Sequence, residues 1–367
     1  MRIPYVNLGN HWSDEKERLF EIFEDVMSSG SFVGGHFVEH FEKAVCDYTG
    51  VKNCVSLNSG TDALVCSMAA LGIKPGDEVI TPPNSFVAST ASIVHLGAKP
   101  VFVDVLGDQS IDPIKVEEAI TTKTKAIMPV HLTGRMASMD KIEKIASENN
   151  LLVIEDCAQS IGSTYDSKQS GTWGDVGCFS THPLKNLNAC GDGGFVITDD
   201  DVCAQKIRSM RNHGMEDRNI VKNFGYVSRL DALQAAILSY RLEGLDNVIE
   251  RRRNNAKLYR KMLDVEKVVL PPEDPKYFDT FHTFVIQVDR RDDLISHLIK
   301  NGIQTAIHYP IPIHLQPAAS ELGYCEGSFP VAEAQAKRIL TIPVNQFLTA
   351  SQVEFVAEKI NEFFEII

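Results

Sequence analysis

The chain has 367 residues, of which 44% are hydrophobic and 23% charged, so it can bury a large core and is expected to form two globular domains. Its 36 basic and 49 acidic residues give a net charge of −13, which argues against a general binder of nucleic acids or anionic membranes. Any anionic ligand must be held by local groups.

Two further features concern the cellular compartment. No segment approaches the length of an apolar membrane span, and the amino terminus lacks the apolar stretch of a secretion signal. The eight cysteines are scattered without C-x-x-C spacing, which favours free thiols over disulfides or zinc ligands. We therefore expect a cytoplasmic protein with no membrane association, and the sequence predicts no metal site.

The first two thirds of the chain alternate short β-rich runs with helical patterns. This alternation predicts an α/β domain with a mostly parallel sheet. The seven runs are NCVSLNSG, DEVITPP, KPVFVDV, TKAIMPVHL, LLVIEDCAQS, VGCFSTH and GGFVITDD.

Near residue 230 the pattern changes to a long helical stretch, interpreted as a connecting helix. It includes the basic run from Arg251 to Arg253, interpreted as a solvated helix face. A proline-rich turn, a strand and further helices follow, which indicates a smaller α+β domain. We predict a large domain over residues 1–245 and a small domain over residues 246–367.

Two residues point to cofactor chemistry. Asp156 ends one predicted strand, and Lys185 lies in a turn after the next strand. Because the carboxyl ends of parallel strands line one crevice, both side chains could face one ligand. Pyridoxal phosphate needs such a pair, since a lysine forms its Schiff base and a carboxylate keeps its ring nitrogen protonated.

A phosphate site and an aromatic ring complete the pattern. In NSGTDAL, residues 58–64, a strand is followed by Ser-Gly-Thr and a helical pattern, and the first amides of a helix favour a phosphate. Phe86, after the next strand, could stack on the cofactor ring. Each feature alone has an ordinary structural explanation, as a surface lysine, a helix cap or a core residue, so only their combination indicates a site.

The motifs extend over nearly the whole chain. They include FEKAVCDYTGVKNCVSLNSGTDAL, GIKPGDEVITPPNSFVAST, VIEDCAQSIGSTY, FSTHPLKNLNACGDGGFVITDD and IHYPIPIHLQPAAS. In these the chain closely resembles the nucleotide-sugar aminotransferases of the DegT/StrS family. That family belongs to the fold-type-I superfamily of pyridoxal-phosphate enzymes, so the resemblance implies this fold, with a mostly parallel seven-stranded sheet in the large domain.

The resemblance also implies roles for individual residues. Lys185 would form the Schiff base and transfer protons, Asp156 would pair with the pyridinium nitrogen, and Gln159 would approach the phenolic oxygen of the ring. The remaining cofactor contacts would be the phosphate ligands and the stacking ring, namely Ser180, the backbone of Gly60 and Thr61, and Phe86. Since some relatives with histidine at the lysine position catalyse dehydration, Lys185 favours transamination.

One position departs from the family pattern. Where many relatives read G-Y-N-S-R-L-D, this chain has Val227 in place of the asparagine, whose side chain reaches the cofactor phosphate of the neighbouring subunit. Valine cannot donate that hydrogen bond. Either Asn223, Ser228 or water replaces it, or the cofactor is held less tightly. The rest of the motif still implies a homodimer with active sites at the subunit interface.

The substrates follow from the resemblance as well. It implies L-glutamate as amino donor and a nucleotide-linked keto sugar as acceptor, and the segment IHYPIPIHLQPA resembles enzymes that aminate carbon 3. This makes His308, Tyr309 and His314 candidate sugar contacts, although the segment could simply pack against the large domain. The alternatives are a 4-keto nucleotide sugar, a keto-inositol, or a cofactor-binding regulatory protein without turnover. His182 has a structural interpretation at least as good as a catalytic one.

Overall fold

The computed structural model describes residues 2–365, which form twelve α-helices and twelve β-strands. The helices are α1 Leu8–Ser29, α2 His36–Thr49, α3 Gly60–Ala70, α4 Val87–His95, α5 Pro113–Glu118, α6 Met139–Asn149, α7 Asp201–Met210, α8 Ala232–Glu243, α9 Leu245–Met262, α10 Arg291–Lys300, α11 Pro330–Arg338 and α12 Ala350–Glu365. The strands are β1 Asn53–Leu57, β2 Glu78–Thr81, β3 Lys99–Phe102, β4 Thr124–Ile127, β5 Leu152–Asp156, β6 Thr164–Tyr165, β7 Lys168–Gln169, β8 Val176–Ser180, β9 Gly194–Thr198, β10 Tyr277–Phe278, β11 Phe284–Gln287 and β12 Ile339–Ile342.

Seven strands form the central sheet, in the order β1-β9-β8-β5-β4-β2-β3. The pairs β2–β3, β2–β4, β4–β5 and β5–β8 are parallel, and β9 runs antiparallel to both of its neighbours. The seven strands are those predicted from the β-rich runs. The predicted α/β fold with a mostly parallel seven-stranded sheet is therefore confirmed.

Helices cover both faces of this sheet, as the alternation of buried side chains requires. On one face Val55, Val79 and Ile154 pack against α3 and α7. Their sequence neighbours, such as Cys54 and Val153, point to the opposite face, where two further clusters involve α2, α8 and α6. Burial on both faces explains why these strands are apolar over consecutive residues rather than at alternate ones.

The carboxyl-terminal part builds a separate core around the antiparallel pair β11–β12 and the helices α9, α10 and α12. Ile3 also belongs to this core and bridges to Ile303, so the first residues of the chain pack with its last third. The proposed boundary at residue 245 falls at the start of α9, whose Leu245 packs with the large-domain core and whose Tyr259 packs with the small one. Within residues 2–365, no helix has the length and apolar character required to cross a bilayer.

Two details of the connecting region differ from prediction. The helical stretch after residue 230 is not one helix, because Gly244 adopts φ −96° and ψ 0° and separates α8 from α9. The basic run is a solvated face only in part, since Arg251 alone of the three is exposed. Arg252 is buried and donates to the carbonyls of Phe281 and His282, while Arg253 places its guanidinium over the ring of Phe278. These contacts fix α9 against residues 278–282.

Candidate active site

A cavity of about 450 Å³ opens at the carboxyl ends of the central strands. Strands β5 and β8 are parallel neighbours with Asp156 opposite Cys178, so the ends of both strands reach the same edge. The cavity collects most of the predicted cofactor and substrate residues from distant parts of the sequence. They are Gly60, Thr61, Phe86, Asp156, Gln159, Ser180, Lys185, His308 and Tyr309.

Asp156 supplies the buried carboxylate. Only 4% of the residue is exposed, and Oδ2 accepts a hydrogen bond from Ser89 Oγ at 2.7 Å while Oδ1 accepts from the amide of Ala158 at 3.1 Å. A buried carboxylate with these neutral donors is oriented without being neutralised by an ion pair. It can therefore favour a cation placed in the cavity.

Lys185 reaches the same cavity from the loop after β8. Its amide donates to the carbonyl of His182, and Asn186 Nδ2 donates to the carbonyl of Thr280, so the loop is held on both sides. Burial lowers the pKa of Lys185 to about 8, against the opposing attraction of Asp156. A larger fraction of this amine is therefore neutral near pH 7 than for an ordinary lysine, and a neutral amine is the nucleophile that attacks a carbonyl.

The first turn of α3 forms the anion-binding end. Ser59 caps the helix by accepting from the amide of Asp62, which leaves the amides of Gly60 and Thr61 without an acceptor inside the helix. A side chain on Gly60 would place its Cβ 2.6 Å from Cβ of Ser180. The helix start can therefore approach β8 closely only because residue 60 is glycine. Together these groups provide two amides and one hydroxyl for a phosphate.

The other contacts define the ring position. Phe86 immediately precedes α4, and its ring lies 5.7 Å from that of Tyr309, centroid to centroid. Gln159 Oε1 accepts from the amide of Thr133 at 2.8 Å, which leaves its amide hydrogens available to a ligand. Ser89, three residues after Phe86, was not predicted, although one helical turn places both residues on the same side.

In the proline-rich segment, the first candidate residues line the cavity, whereas His314 is packed in the interior. His308 and Tyr309 line the cavity, and Nδ1 of His308 bonds to Thr341 Oγ1 at 2.9 Å. The structure does not bring His314 there: its residue is 2% exposed, and its Nε2 lies 3.0 Å from Oε1 of Glu333. His314 instead packs on the edge of Phe329. The assignment of His314 as a sugar contact is therefore corrected, because its side chain belongs to the packing of this loop.

Two histidines flank the lysine. His182 is exposed, and its Nδ1 accepts from the amide of Leu184, so it shapes the loop as well as lining the cavity. His282, which sequence reasoning missed, also lines the cavity, and burial together with the nearby Lys185 lowers its pKa. Because His282 lies just before β11, far along the chain from Lys185, no local pattern marks it.

The residue next to Asp156 has a different environment. Glu155 is fully buried; Oε1 accepts from the amides of Trp173 and Gly174, and Oε2 accepts from that of Gly171. Oε2 also lies 2.9 Å from Nε2 of His131. With Cys157 these side chains could by composition hold a metal ion, but the carboxylate already has several protein donors. The cluster anchors residues 171–174 behind the cavity.

The structure shows which of the neighbouring side chains could replace the asparagine that is missing at Val227. Ser228 is buried and its hydroxyl donates to Asn58 Oδ1 at 3.1 Å, so it is not free to bind a neighbour's phosphate. Asn223 and Val227 are both exposed. Of the two side chains offered as replacements for the missing asparagine, only Asn223 is therefore accessible.

These groups fit pyridoxal phosphate. The cavity has a backbone anion site beside Ser180, a buried carboxylate for the ring nitrogen, a ring face at Phe86 and a lysine with a lowered pKa. The close approach of α3 to β8 creates the phosphate end, where any Cβ on Gly60 would intrude. When bound, the cofactor would supply an electron-accepting ring conjugated to an amine-reactive carbon.

Gly60→Ala tests this anion site. We expect the new methyl group to separate α3 from Ser180 and to weaken cofactor binding by at least about tenfold, with a loss of stability of about 1–3 kcal/mol from overpacking. Cofactor titration followed by absorbance, together with thermal unfolding, measures both effects. Gly107→Ala is the matched control, because a Cβ there meets nothing within 4 Å. Equal cofactor affinity in the two variants would contradict the proposed site.

Comparison with known proteins identifies the class of this fold and site. The profile of the DegT/DnrJ/EryC1/StrS aminotransferase family matches residues 13–361. The chain belongs to this family, as the motifs predicted.

Particular relatives extend over the full length of the chain. A pleiotropic regulatory protein from Geobacillus stearothermophilus is 42% identical, with 99% of each chain covered. A UDP-N-acetyl-3-dehydro-alpha-D-glucosamine 3-aminotransferase from Acidithiobacillus ferrooxidans is 39% identical, covering 97% of this chain and 96% of that one. The crystal structure of S. venezuelae DesV in complex with a ketimine intermediate has a TM-score of 0.97 at 37% identity, covering 100% of this chain and 99% of that one.

Proposed function

We propose that this protein is a pyridoxal-phosphate-dependent aminotransferase that moves an amino group from L-glutamate to carbon 3 of a nucleotide-linked 3-keto sugar. The product would serve the synthesis of a surface polysaccharide or a glycosylated metabolite. The observation that carries the proposal is the single cavity holding Lys185, Asp156 and the first turn of α3. The aminotransferase relatives named for 3-keto or 3-amino sugars support the choice of acceptor.

Different residues of this chain bind different parts of the cofactor. The amides of Gly60 and Thr61 and the hydroxyl of Ser180 hold the cofactor phosphate, and Phe86 packs on the ring. Asp156 keeps a proton on the ring nitrogen, since its buried charge favours a cation beside it.

Proton transfer falls to Lys185. Its amine takes a proton from the donor's α-carbon in one half of the reaction and returns one to the sugar's carbon 3 in the other. The pKa of about 8 suits both steps, because a group that titrates near the working pH both accepts and releases protons.

The sugar is assigned to the side of the cavity that His308 and Tyr309 line. Burial lowers the pKa of His308 to about 4, so near neutral pH its ring is uncharged. A neutral imidazole and a phenol can bind sugar hydroxyl groups without adding charge near Lys185.

A panel of acceptors tests the reaction. The purified holoenzyme is incubated with glutamate and with dTDP-, UDP- or GDP-linked 3-keto and 4-keto sugars, or with scyllo-inosose, and the amino products are quantified. We expect turnover with a 3-keto nucleotide sugar. Preference for a 4-keto sugar, or turnover of the inosose alone, would contradict the proposed acceptor.

A second candidate is a cofactor-binding regulatory protein, a role favoured by the name of the G. stearothermophilus relative. Absorbance separates the two, because a working first half-reaction shifts the visible band of the bound cofactor when glutamate is added. A holoprotein whose spectrum does not respond to glutamate or other amino donors would favour the regulatory role.

The active form is proposed to be a homodimer in the cytoplasm. Support for the dimer comes from the apolar side chains that residues 220–227 leave exposed, among them Ile220, Val221 and Phe224. The base of this segment adjoins the cavity, since Ser228 bonds to Asn58 next to the α3 cap. The eight free cysteines suit a reducing compartment.

Phe224→Glu tests the dimer. A fully exposed phenylalanine that a partner covers is expected to behave as a binding hot spot, so a charge there should weaken dimerisation by at least about 30-fold. Sedimentation velocity over a concentration series measures the dissociation constant. Val265→Glu is the control, since it adds the same charge at an exposed apolar residue after α9. An unchanged dimer in Phe224→Glu would place the interface elsewhere.

A further inference from the structure

Two side chains that line the active-site cavity, Tyr5 and His282, take no part in the cofactor contacts described above. In the part of the chain that the structure describes, neither the hydroxyl of Tyr5 nor Nε2 of His282 forms a hydrogen bond, and neither atom is enclosed by the protein. Each group can therefore bond to a ligand. Both residues lie near His308, so they form one part of the cavity, here called the Tyr5–His282 wall.

Tyr5 is held in the cavity by backbone contacts with the last third of the chain. Its amide donates to Oε1 of Gln304 at 3.3 Å, and its carbonyl accepts from Nδ2 of Asn345 at 3.1 Å. Its ring lies 5.8 Å from that of His308, centroid to centroid. Burial raises the pKa of Tyr5 to about 12, so the phenol keeps its proton at neutral pH. Tyr5 thus presents a hydroxyl donor in a fixed position.

His282 is held by a strained segment of backbone. Phe281 has φ 46°, in the left-handed region that a bulky residue seldom adopts. Nη1 of Arg252 donates to the carbonyls of Phe281 and His282 at 3.2 and 3.0 Å, and the amide of Thr280 donates to the carbonyl of Gly134. Strain that is held in this way is typical of functional sites. Nδ1 of His282 is buried without a partner, and a proton there would be a donor without an acceptor, so the neutral ring carries its proton on Nε2.

A positive charge lies behind this wall. Arg252 is only 5% exposed, its Nε has no hydrogen-bond partner, and no carboxylate in residues 2–365 forms an ion pair with it. Burial lowers the pKa of Arg252 to about 10, so it remains a cation at neutral pH. This charge opposes the rise in the pKa of Tyr5 and helps to lower that of His282, so it acts on both groups. A buried cation without a counter-ion favours an anionic ligand group in front of it.

The carboxylates that line the cavity belong to its cofactor end. Asp156 is assigned to the ring nitrogen, and Asp192 is two residues from Gly194, which packs against the first turn of α3. Apart from Lys185, no lysine or arginine of residues 2–365 lines the cavity. A ligand carboxylate therefore finds its most favourable neutral donors at the Tyr5–His282 wall, with a cation behind them.

We propose that Tyr5 and His282 bind the α-carboxylate of the amino donor, an inference that rests on the proposed function. Lys185 must reach the hydrogen on the donor's α-carbon, so the carboxylate bonded to that carbon lies beside Lys185. His282 is there too, since the charge of Lys185 contributes to lowering its pKa. The hydroxyl of Tyr5 and Nε2–H of His282 then donate to the carboxylate oxygens. Two such bonds fix the orientation of the α-carbon for proton transfer.

The two half-reactions of the holoenzyme test this subsite, because each uses one substrate. Stopped-flow absorbance compares L-glutamate with 4-aminobutyrate, which lacks only the α-carboxylate. We expect Tyr5→Phe and His282→Met each to lower the second-order rate constant for glutamate, and the selectivity for glutamate over 4-aminobutyrate, about tenfold. Calorimetric titration with glutarate, which carries both carboxylates and cannot react, should show an affinity about tenfold weaker. The reaction of the aminated cofactor with the keto sugar should change less than about threefold.

Two variants serve as controls. Tyr240→Phe is matched to Tyr5→Phe, because it removes a phenol hydroxyl that does not line the active-site cavity. His282→Gln keeps an N–H donor at a similar reach, so it should recover the rate with glutamate to within about threefold of the wild type. Thermal unfolding and the cofactor spectrum check that each variant is folded. Since Tyr5→Phe removes a single oxygen atom, it keeps the test decisive even if His282→Met does not fold.

The outcomes distinguish failure of the subsite from failure of the proposed function. A wild-type cofactor that does not respond to glutamate would overturn the proposed donor and the subsite with it. If the wild type responds but Tyr5→Phe behaves like Tyr240→Phe, the subsite alone is overturned, and the carboxylate is held by a group outside this chain. An equal loss in the keto-sugar reaction would also overturn the subsite, because the wall would then bind the sugar.

Discussion

Replacing Lys185 with alanine is expected to remove the visible absorbance of covalently bound cofactor and to lower amino-group transfer by at least about 10³-fold. The variant loses both the amine that anchors the cofactor and the base that moves protons. The cavity itself should persist, because the loop is held through the backbone of Lys185 and the side chain of Asn186. Absorbance spectra and a glutamate-dependent product assay measure the two losses.

Lys185→Arg provides the matched control for charge and size. Arginine keeps a cation in the cavity but stays protonated at any ordinary pH, so it can neither form the covalent bond nor accept a proton. We expect this variant to be as inactive as Lys185→Ala. A covalent cofactor band that persisted in both variants would show that another lysine is the anchor, and the assignment of Lys185 would be wrong.

Asp156→Asn is expected to reduce turnover by roughly 10²- to 10³-fold, which is the usual cost of losing one preorganised electrostatic contact. The amide is nearly isosteric and can still accept from Ser89, but it carries no charge to hold a proton on the ring nitrogen. Rates of the glutamate half-reaction, measured by stopped-flow absorbance, give the effect. Stability should change little, since the side chain forms no ion pair in the described structure.

Ser89→Ala tests whether Asp156 contributes mainly through its charge or through the orientation that Ser89 gives it. It removes the hydroxyl that donates to Asp156 Oδ2 and leaves the carboxylate in place, so we expect a loss of less than about tenfold. If Asp156→Asn lost no more than Ser89→Ala, the charge of Asp156 would not be essential, and the proposed pairing with the ring nitrogen would fail.

The sheet and its site were predictable for the same reason. Strands buried on both faces leave continuous apolar runs in the sequence, and parallel strands bring their carboxyl ends to one edge. Asp156 and Lys185 could therefore be placed together from their order alone. Phe86 and Gly60 followed from the turns that start α4 and α3, where local sequence determines local geometry.

Contacts between distant parts of the chain were not predictable in this way. His282 reaches the cavity because the segment before β11 bonds to a distant loop, the amides of Thr280 and Thr283 donating to the carbonyls of Gly134 and Thr133. Nothing near His282 in sequence marks it. His314 looked equivalent to His308 in the same segment, yet the chain turns between them and Glu333 holds His314 in the packed interior. Likewise, the run at Arg251–Arg253 does not reveal that Arg252 donates to the carbonyls of Phe281 and His282, 29 and 30 residues further along the chain. Such partners depend on tertiary packing.

The adjacent carboxylates Glu155 and Asp156 make the active site depend on the pairing register of one strand, β5. Successive residues of β5 point to opposite faces, so one carboxylate faces the cavity while the other fixes the loop behind it. A slip of one residue in the pairing of β5 would exchange them, and the longer acid would project into the ligand space while the shorter one fell short of the amides at residues 171–174. The loop amides at residues 171–174 are therefore hydrogen-bonded to Glu155 only in the register that also points Asp156 at the ligand. The same hydrogen bonds that hold this loop thus favour the register in which the active site is correctly formed.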